Sequence, residues 1–176
     1  MIVATLGDSI TEGTPGETTW QHWAGLKHPG LEFRVHGING QRTDEIAARL
    51  DNAAAGADVL IVQGGINDIA QGHSVEAAAH NLREMVRRGK ALGLRVALAN
   101  LLPWNNGWPD AEPTIRRLNE LIAEIARDED VPVLQFHDTL EDPDRPGRMK
   151  PEWTFEGDHP SVEGYRLLGE RAFRPV

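Results

Sequence analysis

The chain has 176 residues, 40% of them hydrophobic, which suits one core and leaves two cramped, so a single domain over residues 1–176 is expected. Cysteine is absent, which removes disulfides, thiolate metal sites and cysteine nucleophiles together. Eighteen Lys and Arg against 27 Asp and Glu leave a net charge of −9, which opposes nucleic-acid backbones and anionic membrane surfaces as partners. No run approaches the length of a membrane span, and Met1 to Leu6 lacks the basic start of a signal peptide. The chain as it stands is therefore expected to be soluble, and cytoplasmic by default unless a signal peptide has been trimmed from it.

In chain order, short apolar runs rich in β-branched residues predict strands at Met1–Leu6, Leu31–Val35, Val59–Val62, Arg95–Leu101 and Val131–Phe136. Helical spacing of apolar residues predicts helices at Trp20–Leu26, Thr43–Ala53, Val75–Leu92, Pro113–Arg127 and Val162–Phe173. Strands alternating with helices of this length imply right-handed crossovers and a mostly parallel sheet covered on both faces, an α/β/α three-layer sandwich. Two connections, Pro103–Glu112 and Asp138–Pro160, are longer than a crossover requires, which marks them as functional candidates. Polar residues follow the strands: Gly7-Asp8-Ser9, Asn39-Gly40-Gln41, Gly64-Gly65-Ile66-Asn67-Asp68 and the Trp104 loop. In a parallel sheet these C-terminal ends share one edge, outside which ligands bind.

Ser9 follows a buried strand through a glycine and precedes a helical segment, a position that holds a hydroxyl beside free backbone N–H groups. Nucleophile is one role for it; the competing one is that Asp8 or Ser9 caps the next helix. A serine nucleophile needs a general base, and of seven histidines His137 and His159 lie at edge positions. In Glu156-Gly157-Asp158-His159-Pro160 a carboxylate three residues before His159 can curl back to Nδ1 and fix the tautomer, leaving Nε2 for the serine. The Ser9 and Gly40 N–H groups and the Asn67 amide are candidate oxyanion donors; turn and cap roles compete for Gly40 and Asn67. His73 and His80 lie seven apart without a nearby carboxylate pair, so no metal site is expected there.

Taken together, these residues resemble the SGNH (GDSL-type) hydrolase family. The matching blocks are Gly7-Asp8-Ser9-Ile10-Thr11-Glu12-Gly13, Gly40, Gly65-Ile66-Asn67-Asp68 and His159-Pro160-Ser161, in the family's order from Gly7 to Gly164. Leu101-Leu102-Pro103, Pro113-Thr114-Ile115 and Leu118-Asn119 resemble its small bacterial lysophospholipase-like and acyl-esterase branch. The resemblance implies a flavodoxin-like sandwich with strand order 2-1-3-4-5, no cofactor or metal, and ester hydrolysis through an acyl-serine. One departure is that the family's acid three residues before the histidine is usually Asp, whereas Glu156 stands there and Asp158 immediately precedes His159. Spacing favours Glu156 as the acid, with Asp158 as the rival.

The expected substrate is a small-molecule ester of short or medium acyl chain length. Trp104 and Trp108, in the loop after the fourth strand, are candidate walls for an acyl or aryl group, against a core-capping role. A carbohydrate acetylesterase is the alternative within enzymes. A flavodoxin-like domain that binds an anion without catalysis is the alternative outside them.

Overall fold

A computed structural model describes residues 1–13 and 19–176. Five parallel strands, β1 (Ile2–Gly7), β2 (Glu32–Gly37), β3 (Val59–Gln63), β4 (Arg95–Ala99) and β5 (Val133–Leu134), form one sheet in the order β2-β1-β3-β4-β5. The inner strands are apolar at consecutive positions because both faces are covered. Ala4, Leu6, Leu60, Val62, Val96 and Leu98 join a core on one side, and Val3, Val59, Ile61, Ala97 and Ala99 join a second core on the other. The chain is thus an α/β/α sandwich with the 2-1-3-4-5 order.

Over the first face lie α3 (Thr43–Ala47), α4 (Leu50–Ala54), α6 (Val75–Ala91) and α7 (Glu112–Glu129). Ser74 starts α6 by accepting the Ala77 N–H, and Ala78, Leu82, Met85, Val86 and Gly89 form its buried stripe. Gly89 permits close approach to the sheet, since a Cβ there would meet Val96 at 2.8 Å. Over the second face lie α2 (Trp20–Lys27), α8 (Phe136–Leu140) and α9 (Val162–Leu167), which runs on into a π turn at Leu168–Ala172. Trp20 is fully buried there among Phe33, Phe136 and Phe173.

The structure departs from the expected elements chiefly in four places. The helix expected over Thr43–Ala53 is broken at Ala48 and Arg49, where Arg49 turns inward to donate to the carbonyls of Gly7 (3.0 Å) and His36 (3.1 Å). The fifth strand shrinks to two residues because Phe136 opens α8, whose second residue, His137, donates its N–H to Asn100 Oδ1. The fourth strand stops at Ala99, two residues early. The Asp138–Pro160 segment contains a hairpin of β6 (Glu141–Asp142) and β7 (Arg145–Met149), a 3-10 turn at Pro151–Trp153 and a bridge between Thr154 and Pro160.

Candidate active site

The site is assembled where β1 ends between β2 and β3. Gly7 has no room for a side chain, because a Cβ would strike Thr11 Oγ1 and lie 2.6 Å from Gln63 Oε1. The chain then turns into α1 (Ser9–Glu12), and the two roles left open for Asp8 and Ser9 separate. Asp8 is the cap, accepting the Ile10 N–H at 2.9 Å, which leaves the Ser9 hydroxyl free to point elsewhere. Ser9 Oγ lies 3.0 Å from His159 Nε2. On the other side of the ring, His159 Nδ1 lies 2.8 Å from Glu156 Oε1.

The turn carrying His159 is closed on itself. Glu156 Oε1 also accepts the backbone N–H of His159 at 2.6 Å, Thr154 Oγ1 accepts from Gly157 N and donates to the His159 carbonyl, and Phe155 N donates to that same carbonyl. Gly157 has φ +96°, a conformation that favours glycine, and a Cβ there would strike Asn106. Asp158 faces away from the ring, accepting from Trp104 Nε1 at 2.6 Å and from Asn106 Nδ2 at 2.8 Å. His137 belongs to a different cluster, with Nδ1 at 3.6 Å from Asp138 and 3.8 Å from Glu141. Among the described residues these three form the one group whose donor atoms could surround a metal ion.

Gly40 and Asn67 are drawn to one another from separate strand ends. Asn67 occupies the second position of α5 (Ile66–Ala70) and donates one amide hydrogen to the Gln41 carbonyl at 2.9 Å, the other having no protein acceptor among the described residues. Gln71 Nε2 donates to the Gly40 carbonyl at 3.2 Å. The loop is fastened to α1 through Asn39 N on Glu12 Oε2 and to the end of β1 through Ile38 N on the Gly7 carbonyl. Gly40 adopts φ +79°, and neither its N–H nor that of Ser9 has a protein acceptor among the described residues.

The two tryptophans part company. Trp104 walls a cleft with Ile10, Ile66, Leu101, Leu102 and Pro103, whose cavity of about 20 Å³ is bordered by Gln63, Asn100 and Asp158. Trp108 lies outside that cleft, 40% exposed, with the Arg148 guanidinium 3.9 Å from its ring.

Of three further residues around the site, Gln63 is not singled out by the sequence, while Asp8 is legible only as a cap and Asp68 only as part of a matching block. Gln63, the polar end of an apolar strand, accepts from Thr11 Oγ1 (2.8 Å) and from Asp8 N. Asp68 binds both the N–H and the hydroxyl of Thr43, which seats α3 against α5. Asp8 is fully buried with Oδ2 unpartnered, and burial pushes its carboxyl up to about 6 despite bonds from Ile10 and Gln63 and the nearby His159 charge. A lone Gln closing a strand and an Asp in a cap are weak signals, since both residue types are common at such ends.

The family model of the GDSL-like lipase/acylhydrolase family matches residues 5–167. Among solved structures, a protein of Desulfitobacterium hafniense DCB-2 described as of the G-D-S-L lipolytic family superposes with a TM-score of 0.85 at 26% identity, covering 96% of this chain and 95% of that one. A member of the lipolytic protein G-D-S-L family from Veillonella parvula DSM 2008 gives 0.83 at 22% identity, with 96% and 94% covered. An acetylxylan esterase from Geobacillus stearothermophilus gives 0.76 at 19% identity, with 96% and 90% covered, a likeness of fold. A search of curated proteins by sequence found no match.

Proposed function

The chain belongs to the GDSL-like lipase/acylhydrolase family, and we propose that it is a serine esterase cleaving carboxylic esters of short or medium acyl chains through an acyl-serine. The observation that carries this reading is the unbroken series Ser9 Oγ, His159 Nε2, His159 Nδ1 and Glu156 Oε1, with contacts of 3.0 and 2.8 Å. With Nδ1–H donating to the carboxylate, the lone pair of Nε2 faces the serine O–H and accepts its proton as Oγ attacks the ester carbonyl. The Ser9 and Gly40 N–H groups and the second amide hydrogen of Asn67 stabilise the negative oxygen of the tetrahedral intermediate. His159 then returns the proton to the departing alcohol, leaving Ser9 acylated. Water repeats the sequence on the acyl-enzyme and releases the acid.

Trp104 supplies a rigid wall for the acyl group. The small cavity beside it also favours acetyl esters, so a carbohydrate acetylesterase is the second reading. The test is a panel of p-nitrophenyl esters from acetate to palmitate with an acetylated oligosaccharide and a lysophospholipid. Turnover concentrated on the shortest p-nitrophenyl esters is expected, and its loss in Ser9→Ala. Exclusive turnover of the oligosaccharide would favour the second reading. Exclusive turnover of palmitate or lysophospholipid would contradict both.

A further inference from the structure

The acid that does not orient His159 still holds three parts of the site together. Asp158 Oδ1 is shared between the Trp104 indole N–H (2.6 Å) and the Asn106 amide (2.8 Å). The other Asn106 amide hydrogen reaches the Glu156 carbonyl at 2.9 Å, and the Asn106 N–H reaches the Gly157 carbonyl at 3.3 Å. Glu156, Gly157 and Asp158 are therefore each bonded to the segment that carries the Trp104 wall. That segment is anchored from behind, since Asn105 exchanges two bonds with Met149 of β7, at 3.0 and 2.7 Å. The indole has little room to turn away, because a Cβ at Gly107 would strike its ring.

The wall matters because the cleft it closes is small. A cavity of about 20 Å³ holds roughly one water-sized group. Ile10, next to Ser9, and Asp158, next to His159, both border it, so it flanks the nucleophile and base that the esterase reading invokes. A methyl fits such a space, and a longer chain lying against the indole would have to displace the ring or leave the cleft. Charge-assisted bonds to a carboxylate are about twice as strong as neutral ones, so Asp158 is a firm latch for a ring that a single neutral acceptor would hold less well.

We propose that Asp158 is a positioning residue that fixes acyl-chain selectivity by latching Trp104 across the acyl cleft, restricting the substrate class to acetyl and comparably small acyl esters. The claim deepens the esterase reading and rests on it for its kinetic consequence, whereas the latch itself can be observed without substrate. In Asp158→Ala the indole is released, and the acetate-to-hexanoate ratio of kcat/KM falls by roughly tenfold or more, the scale set by one methylene in an apolar pocket. Asp158→Asn keeps an acceptor oxygen but loses the charge assistance, so it recovers the acetate preference only in part. Trp104→Phe, which keeps a ring but has no N–H, shows the same fall as Asp158→Ala, and combining the two adds little.

The experiment couples these ratios, measured on p-nitrophenyl acetate, butyrate and hexanoate, with hydrogen exchange of the indole N–H resonances of the folded proteins, Trp104 being assigned by its loss in Trp104→Phe. Slow Trp104 exchange in wild type, intermediate exchange in Asp158→Asn, fast exchange in Asp158→Ala, and the shifted ratio support the proposal. Equal loss on all three esters in Asp158→Ala, or no change on any, would overturn the selectivity claim. Fast Trp104 exchange in wild type would overturn the latch. A wild-type protein inert towards every ester but with a protected indole would contradict the esterase reading instead, and the selectivity with it, so the two failures are told apart.

Discussion

Two acids of one turn, Glu156 and Asp158, make different contacts because of where their side chains leave the backbone. Glu156 curls back across Gly157 to reach Nδ1, and its extra methylene is accommodated by bonds to two backbone N–H groups of the same turn, at 2.6 and 3.2 Å. Glu156→Ala is expected to lower kcat far more than Asp158→Ala on acetate, with Glu156→Asp remaining active; near-wild-type turnover in Glu156→Ala would give the ring-orienting role to another group. Asn67→Ala removes a donor needed most when charge develops on the carbonyl oxygen, so kcat should drop by roughly 10²–10³ with a modest change in KM. A large rise in KM at unchanged kcat would make Asn67 a ground-state contact. Asp8 yields a prediction about stability. Its folded value of about 6 lies above the ordinary 3.8, so the folded protein holds that proton more tightly and stability declines as pH rises through this window. The His159 charge opposes this rise and the Asp68 charge adds to it. Asp8→Asn keeps the cap acceptor without the buried charge, so its Tm should exceed wild type at pH 8 and converge with it at pH 4. A Tm difference independent of pH would show that the burial of charge is not what the substitution relieves.

At the scale of elements, what could be read from the sequence follows how local the determining forces are. The buried strands and the amphipathic α6 and α7 were predicted because their patterns reflect one or two covered faces along a continuous segment. The break between α3 and α4 was not, since it depends on Arg49 finding carbonyls of β1 and β2 that are distant in sequence. The β6-β7 hairpin was equally hidden, its register resting on contacts such as Gly147 N to Glu141 Oε1 in a segment without alternating apolar residues. Ser9, His159 and Glu156 could be singled out because their residue types and the three-residue spacing constrain the chemistry. Gln63 and the bond of Asp158 to Trp104 could not, because each needs partners supplied by a distant segment of the chain. The turn at residues 154–160 also predicts a consequence. Gly157→Ala combines an unfavourable φ with a collision against Asn106, and displacing the His159 side chain by about 1 Å can cost on the order of a hundredfold in turnover. Circular dichroism and p-nitrophenyl acetate kinetics on that variant check it, a folded and fully active protein being the contrary result.

Across the whole molecule, the strand order explains why residues at positions 9, 40 and 67 share one edge of the sheet. Strand β1 lies between β2 and β3, so the connections leaving β1 and β3 diverge to opposite faces and open a crevice at the sheet edge. Ser9 leaves β1 at that crevice, Gly40 enters it from β2 and Asn67 from β3. The His159 turn arrives from the far end of the chain, tied down by the Trp104 loop that follows β4. The sheet thereby gives Ser9 a rigid floor, and the proposed selectivity resides in the loops above it. The most direct measurement of the serine's task is labelling by a fluorophosphonate probe, which reacts with an activated serine hydroxyl, followed by mass spectrometry of the modified peptide. One label per chain on Ser9 is predicted, absent in Ser9→Ala and strongly slowed in His159→Ala. Labelling at a different residue, or undiminished ester turnover in Ser9→Ala, would contradict it.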